Sequence, residues 1–164
     1  MRRFNRLYGD VLVEPQALLS HAPSVPGSDG RKMSKSLDNT IDVRDDEETV
    51  RRKVRTFITD PQKVRMGDPG RPEICPIFAL HRLFSQDILA WTDENCRTGS
   101  LGCVECKGNL ADRIGAYYAP FRERRDALDD TPEVADAVLE AGTAKVGPVV
   151  DETMKTVRSA MSFG

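Results

Sequence analysis

The chain has 164 residues, of which 39% are hydrophobic and 30% charged, and its formal net charge is −2. That length suits one ordinary domain or two small ones, and the composition is that of a soluble chain able to bury a core. It excludes a disordered chain and a nucleic-acid partner argued from bulk charge; no apolar run is long enough to span a membrane.

The opening Met1-Arg2-Arg3-Phe4-Asn5-Arg6 is basic, but no apolar stretch of signal-peptide type follows it, so the chain reads as cytoplasmic. Met1 to Tyr8 is mildly amphipathic and reads as the tail of a helix whose beginning is absent, stopped by Gly9. Val11 to Glu14 predicts a short strand ended by Pro15. No partner strand is visible for it, and a lone strand is not stable. His21 to Asp29 carries two prolines, a glycine and two serines and predicts a loop, with His21 exposed.

Gly30-Arg31-Lys32-Met33-Ser34-Lys35-Ser36-Leu37-Asp38-Asn39-Thr40-Ile41 comes next. Lysines spaced by small and hydroxylated residues suit a phosphate chain, because ammonium groups offset charge on leaving oxygens. The segment lacks the G-x-x-x-x-G-K-[ST] spacing of a Walker A loop. Asp38 and Asn39 are expected to shape the loop's exit through nearby backbone.

Asp45-Asp46-Glu47-Glu48 predicts a helix start, since acidic residues favour the first turn. Val50, Val54, Phe57 and Ile58 recur at helical spacing, and Asp60-Pro61 is read as the end. Met66 to Pro72 predicts a loop. Pro76 suits a first helical position, with Ile77, Leu80 and Phe84 on one face. His81 on that helix reads as a satisfied interior residue and Trp91 as packing. Asp93 to Gly108 is polar, with little periodicity, and predicts a loop. Leu110 to Leu128 predicts a helix with Leu110, Ile114, Tyr117, Phe121 and Leu128 as its stripe, kinked or interrupted at Pro120. Thr131-Pro132 predicts the N-cap and first residue of a last helix. Val134, Val138, Ala141, Met154, Val157 and Met161 are its expected inward face, with a kink or break at Gly147-Pro148.

Cys75, Cys96, Cys103 and Cys106 form C-x20-C-x6-C-x2-C. Clustered thiols in a cytoplasmic chain point to metal rather than disulfides. Four thiolates suit a tetrahedral zinc or a [4Fe–4S] cluster, and spacing alone does not decide between them, although a lone C-x2-C leans to zinc.

Lys32-Met33-Ser34-Lys35-Ser36 is the KMSKS signature of class I aminoacyl-tRNA synthetases. With "RRFNRLYGDVLVEP" before it and the later helices in this order, essentially the whole chain resembles the C-terminal half of bacterial tryptophanyl-tRNA synthetases; tyrosyl enzymes share the fold and the loop. The resemblance implies a mainly α chain. Residues 1–44 would be the end of a Rossmann-type catalytic domain carrying the loop. Residues 45–164 would be a helical anticodon-binding domain with the four-cysteine metal loop. It implies ATP-dependent activation of L-tryptophan, with Mg2+, and transfer to tRNA(Trp). Lys32 and Lys35 would be catalytic, and Lys32, Met33, Ser34, Lys35 and Ser36 would hold ATP, with Gly30 letting the loop close. A subset of the family carries a similar four-cysteine pattern, with a slightly longer first gap, around a [4Fe–4S] cluster. That favours iron–sulfur over zinc at Cys75, Cys96, Cys103 and Cys106. Arg97, Lys107 and Arg113, near the cysteines, become candidate tRNA contacts, since RNA phosphates are held by Arg and Lys. Tyr117 could stack on a base but is read as core.

The family's other signature, HIGH, does not occur in the 164 residues, so the resemblance implies a piece that does not activate tryptophan alone. Family members are homodimers. The competing reading is a non-catalytic tRNA- or partner-binding module, and a second is a fragment of a tyrosyl-type enzyme.

Overall fold

The chain is described here by a computed structural model covering residues 1–162. Among those residues it is mainly helical: α1 (Arg2–Tyr8), α2 (Glu47–Thr56), α3 (Pro76–Phe84), α4 (Leu89–Thr98), α5 (Cys103–Asp129) and α6 (Pro132–Ala160), with short 3-10 turns at Lys35–Leu37, Pro72–Ile74 and Gln86–Ile88. The described residues hold no strand, only an antiparallel bridge between Pro26 and Lys32. They form two compact units, one of Ser20–Arg125 and one of Met1–Leu19 with the chain from Asp126 onward.

The Ser20–Arg125 unit holds the core. α2 starts where the Asp46 carboxylate accepts from the Thr49 backbone N–H at 2.7 Å, a cap worth about 1 kcal/mol. Its Val50 and Val54, with Phe57 just beyond, meet Ile77 and Leu80 of α3 and Leu110, Ala111 and Ile114 of α5. Burying each large side chain contributes about 1.5–3 kcal/mol. Ile58, expected on the same stripe, lies outside α2 and is exposed, because the backbone turns extended at Phe57. The helix therefore ends before Asp60-Pro61.

Two expectations about α4 and α5 are corrected. The polar run from Asp93 is not loop: α4 runs to Thr98, its polar residues facing water and Thr92 buried. Gly99 closes it in the left-handed region at φ 80°, and a turn of four residues, Gly99–Gly102, leads into α5. The approach of Gly99 to Gly67 is so close that a Cβ on Gly99 would stand 2.3 Å from the Gly67 carbonyl oxygen. Pro120 does not interrupt α5. The carbonyl it leaves without a partner belongs to exposed Ala116, where water can serve it. Tyr117, Phe121 and Leu128 are exposed rather than core, and Trp91 is 45% exposed.

In the other unit, Gly9 ends α1 at φ 89°. Residues Val11–Glu14 are not a strand. The Asn5 side chain donates to the Leu12 carbonyl at 2.6 Å and accepts from its N–H at 3.0 Å, so one amide replaces the neighbour strand the sequence lacks. α6 begins at Thr131-Pro132, but the Thr131 hydroxyl donates back to the Ala127 carbonyl at 3.2 Å instead of capping. The helix passes through Gly147-Pro148, whose freed carbonyl at Ala144 is exposed. None of its residues is buried. Val134, Val138, Ala141 and Met154 are exposed and Val157 and Met161 half-buried, so the stripe read as an inward face is uncovered.

Candidate functional site

The lysine segment begins in the second strand of a tight hairpin-like loop that turns at residues 28–30 and runs on into a second turn. Its stem is laced by Met33 N–H donating to the Val25 carbonyl at 2.9 Å and Gly27 N–H to the Arg31 carbonyl at 2.7 Å, either side of the Pro26–Lys32 bridge. Gly30 turns the stem at φ 78°, a region that costs a side chain about 1 kcal/mol or more. The stem is tied to the end of α2, where Ile58 N–H donates to the Ser28 carbonyl at 2.9 Å.

Asn39 is 3% exposed and sits at the centre of the stem. Its side-chain oxygen accepts from Ser34 N–H at 2.8 Å. Its amide nitrogen donates to Asp29 Oδ1 at 2.8 Å and to the Lys32 carbonyl at 3.3 Å. Its own carbonyl accepts from Ser28 N–H at 3.1 Å. The expectation that Asn39 bonds to nearby backbone holds. Asp38 reaches the left-handed region at φ 48°, the conformation short polar residues tolerate.

The tip runs Lys35–Leu37 as one 3-10 turn, with Ser34 and Ser36 hydroxyls 2.9 Å apart. Lys32, Lys35 and Ser36 are exposed, while Met33 and Ser34 are half-buried. Met33 and Lys32 line an apolar cavity of about 340 Å3 with Val25, Leu80, Phe84 and Tyr118. Lys35 lines a wider cleft with Asp42, Arg44, Asp45 and Lys53. Hydrogen bonds from Arg44, first its side chain and then its backbone, bring the Asp42 carboxyl down to about 2. Lys53 Nζ bonds Asp45 Oδ2 at 2.7 Å. The arrangement presents two exposed ammonium groups and two hydroxyls from a hydrogen-bonded stem, an arrangement suited to an anionic chain of phosphates.

The four cysteines, far apart in sequence, converge. Cys75 is the N-cap of α3, Cys96 lies in the last turn of α4, and Cys103 and Cys106 open α5. All four are free and line one small apolar pocket with Ile77, Phe78 and Leu101. Burial, and then the other three thiols, push the Cys106 thiol up to about 12, and burial raises Cys96. Among the described residues no three His, Cys, Asp or Glu side chains are drawn together tightly enough to hold a metal ion. Lys63, only 7% exposed, donates to the Cys96 carbonyl at 3.3 Å beside this pocket. His81 is fully buried, its Nε2 3.2 Å from the Cys106 carbonyl and 3.4 Å from its sulfur, but Nδ1 has no partner, so the ring is only half satisfied. His21 is exposed, as expected.

Each of the three basic candidates has partners within the chain. Arg97 pairs with Asp93 at 2.9 Å and Glu73 at 3.1 Å. Arg113 pairs with Asp87 at 2.7 Å. Lys107 Nζ donates to the carbonyls of Arg55 at 3.0 Å and Phe57 at 2.6 Å, closing the C-terminus of α2. Sequence reasoning missed Lys63 and the Asp60–Arg71 pair; nothing in local spacing marks either.

Residues 1–119 match the family described as tRNA synthetases class I (W and Y). The chain belongs to the class I tRNA synthetases of the W and Y group. Among curated relatives it is similar to the tryptophan–tRNA ligase of Aquifex aeolicus, 47% identical over 99% of this chain and 42% of the relative. It is 42% identical to that of Thermotoga maritima over 99% of this chain and 50% of the relative. A tryptophanyl-tRNA synthetase from Campylobacter jejuni, solved in complex with ADP and tryptophan, superposes with a TM-score of 0.76 at 27% identity over 98% of this chain and 50% of that one. The chain thus spans about half the length of the curated relatives it matches. The match is to the C-terminal half of these synthetases. Among the described residues no helix is long and apolar enough to cross a membrane.

Proposed function

We propose that the chain is the C-terminal portion of a tryptophan–tRNA ligase and supplies the lysine loop for tryptophan activation. The observation that carries this reading is the signature Lys32-Met33-Ser34-Lys35-Ser36 standing on a hydrogen-bonded stem with both ammonium groups exposed. In the reaction a carboxylate oxygen of tryptophan attacks the α-phosphorus of ATP. The bond from that phosphorus to the β-bridging oxygen breaks, and pyrophosphate leaves with Mg2+. Lys32 and Lys35 neutralise charge on the departing oxygens, and Ser34 and Ser36 add hydroxyl donors; catalysis here is placement and charge stabilisation. The aminoacyl group then passes to tRNA(Trp). The names of the relatives and the ADP and tryptophan in the Campylobacter complex support the choice of substrates.

On this reading residues 1–44 close a Rossmann-type catalytic domain and 45–164 form the anticodon-binding domain. Arg97, Lys107 and Arg113 face the tRNA, the enzyme is a cytoplasmic homodimer, and a HIGH-bearing half completes the active site. A non-catalytic tRNA- or partner-binding module is the alternative; the intact signature with both lysines exposed argues for the enzyme.

The four thiols are the resident metal site of this proposal. Their donor set and apolar pocket fit a thiolate-bound centre. A single zinc needs sulfurs about 3.8 Å apart around one ion, whereas a [4Fe–4S] cluster takes one thiolate per iron and tolerates a wider ring. The pattern of Cys75, Cys96, Cys103 and Cys106, similar to that of cluster-bearing synthetases, supports the cluster, with zinc second. Its role is to staple α3, α4 and α5 together, since activation transfers no electron.

Pyrophosphate exchange tests the lysine roles in the enzyme completed by the HIGH-bearing half. Lys32→Ala and Lys35→Ala should each lower turnover about a hundredfold with little change in KM for ATP. Unchanged turnover with only a raised KM would overturn the assignment.

A further inference from the structure

The stem and the tip of the signature loop are held in different ways. Asn39, just past the tip, reaches back across it with its side chain, to Ser34 N–H at the tip's entry and to Asp29 and the Lys32 carbonyl before it. Beyond Ser34 the tip makes backbone bonds of its own, Leu37 N–H to the Ser34 carbonyl and Asp38 N–H to the Lys35 carbonyl, and Lys35 also acts through charge on Asp42. We propose that Asn39 is a positioning residue for the signature lysines, a buried clamp that fixes Lys32 at the stem and leaves Lys35 on a tip free to swing. This rests on the phosphate-binding reading of the loop given above.

No other side chain fits the clamp. A primary amide offers an acceptor and two N–H donors on one planar group, and all are used here, by the Ser34 N–H, the Asp29 carboxylate and the Lys32 carbonyl. An aspartate would keep the acceptor for Ser34 but set a second carboxylate against Asp29. An alanine would leave the half-buried Ser34 N–H and Lys32 carbonyl unmatched. The space is reserved as well: a Cβ on Gly27 would stand 2.5 Å from Asn39 Cγ and 2.6 Å from its carbonyl oxygen. Asp29 completes the device. It takes the Asn39 N–H on one oxygen and Arg31 Nε on the other at 2.6 Å, and the Asn39 bond leads the effects that lower its pKa.

The consequence for phosphate binding is an order of engagement. Lys32 is already in place when an anion arrives, whereas Lys35 must be carried to it by the turn Lys35–Leu37. Removing the clamp therefore disturbs Lys32 first.

The test titrates the full chain, labelled with 13C-lysine and 15N, with inorganic triphosphate. In the unmodified chain the Lys32 and Lys35 side-chain signals both move, and the Ser34 amide exchanges with solvent more slowly than those of Lys35 and Ser36. Asn39→Ala weakens triphosphate about tenfold and abolishes the Lys32 response while Lys35 still responds. Asp29→Ala, which leaves the buried amide in place, weakens it about threefold with the same loss at Lys32 and decides the matter if Asn39→Ala fails to fold. Core signals of Leu80 and Ile114 stay where they were, which separates positioning from general unfolding. Unmodified affinity and an unmodified Lys32 response in the variants overturn the clamp while sparing the phosphate-binding reading. No response to triphosphate at either lysine of the unmodified chain overturns that reading and the clamp with it.

Discussion

Arg71 closes on Asp60 three times. Its backbone N–H donates to Oδ2 at 2.9 Å, Nε donates to the same oxygen at 3.0 Å, and Nη2 donates to Oδ1 at 2.6 Å. The carboxylate, 3% exposed, also accepts from Gln62 N–H at 3.0 Å. These bonds, with the Arg71 side chain first, hold the Asp60 carboxyl well below the usual carboxylate range. A carboxyl depressed in the folded state stabilises the fold fully above its unfolded value, about 3.9. That contribution is lost as pH falls toward the folded value. Asp60→Asn should therefore lower the urea midpoint at pH 7, and the gap to the unmodified chain should narrow by pH 3. A gap that is the same at both would refute the linkage.

Lys107 is predicted to matter for stability as well as for any RNA contact. Its ammonium closes the carbonyls at the end of α2, where a cation also meets the negative end of the helix dipole. Lys107→Met should cost about 1–2 kcal/mol in urea unfolding. A variant with unchanged stability and weaker tRNA binding would show that the ammonium leaves α2 for the RNA.

Gly99→Ala tests the turn between α4 and α5. The new methyl would occupy the Gly67 carbonyl, and the left-handed backbone adds strain of its own. A loss of more than about 2 kcal/mol is expected, together with reduced metal content, because the turn sets the distance from Cys96 to Cys103. Full metal loading with a tolerated alanine would contradict it.

Anaerobic purification should give a brown protein with broad visible absorbance, containing iron and sulfide. Cys106→Ser should lose both, and chelation should lower the melting temperature, since binding energy at such a site is folding energy. Colourless protein with one zinc per chain would replace the cluster by zinc.

The signature loop and the cysteines were legible because their meaning lies in residue identity, which needs no coordinates. The core faces of α2 and α3 were legible through their apolar spacing. Helix α4 was not: after Ala90 its residues read Trp-Thr-Asp-Glu-Asn-Cys-Arg-Thr, and one buried threonine gives too little contrast for a period to emerge. Helices α5 and α6 run on through their prolines because the cost of a proline depends on whether water reaches the freed carbonyl, a property of the fold. The stripe of α6 was read correctly as apolar and wrongly as covered. Asn39 was seen as a local turn former, while its hold on Asp29 and Lys32 spans ten and seven residues. Asp60 and Arg71 were invisible as a pair, eleven residues apart across a loop.

The bond from Ile58 N–H to the Ser28 carbonyl makes the end of α2 the mooring of the signature hairpin. A Cβ on Gly30 would also press the Ile58 methyl at 2.9 Å, so the two segments have no slack between them. Lys107 grips the carbonyls one and three residues before Ile58, from one residue past Cys106. The cysteine end of α5 and the root of the lysine arm thus share one anchor, the last turn of α2.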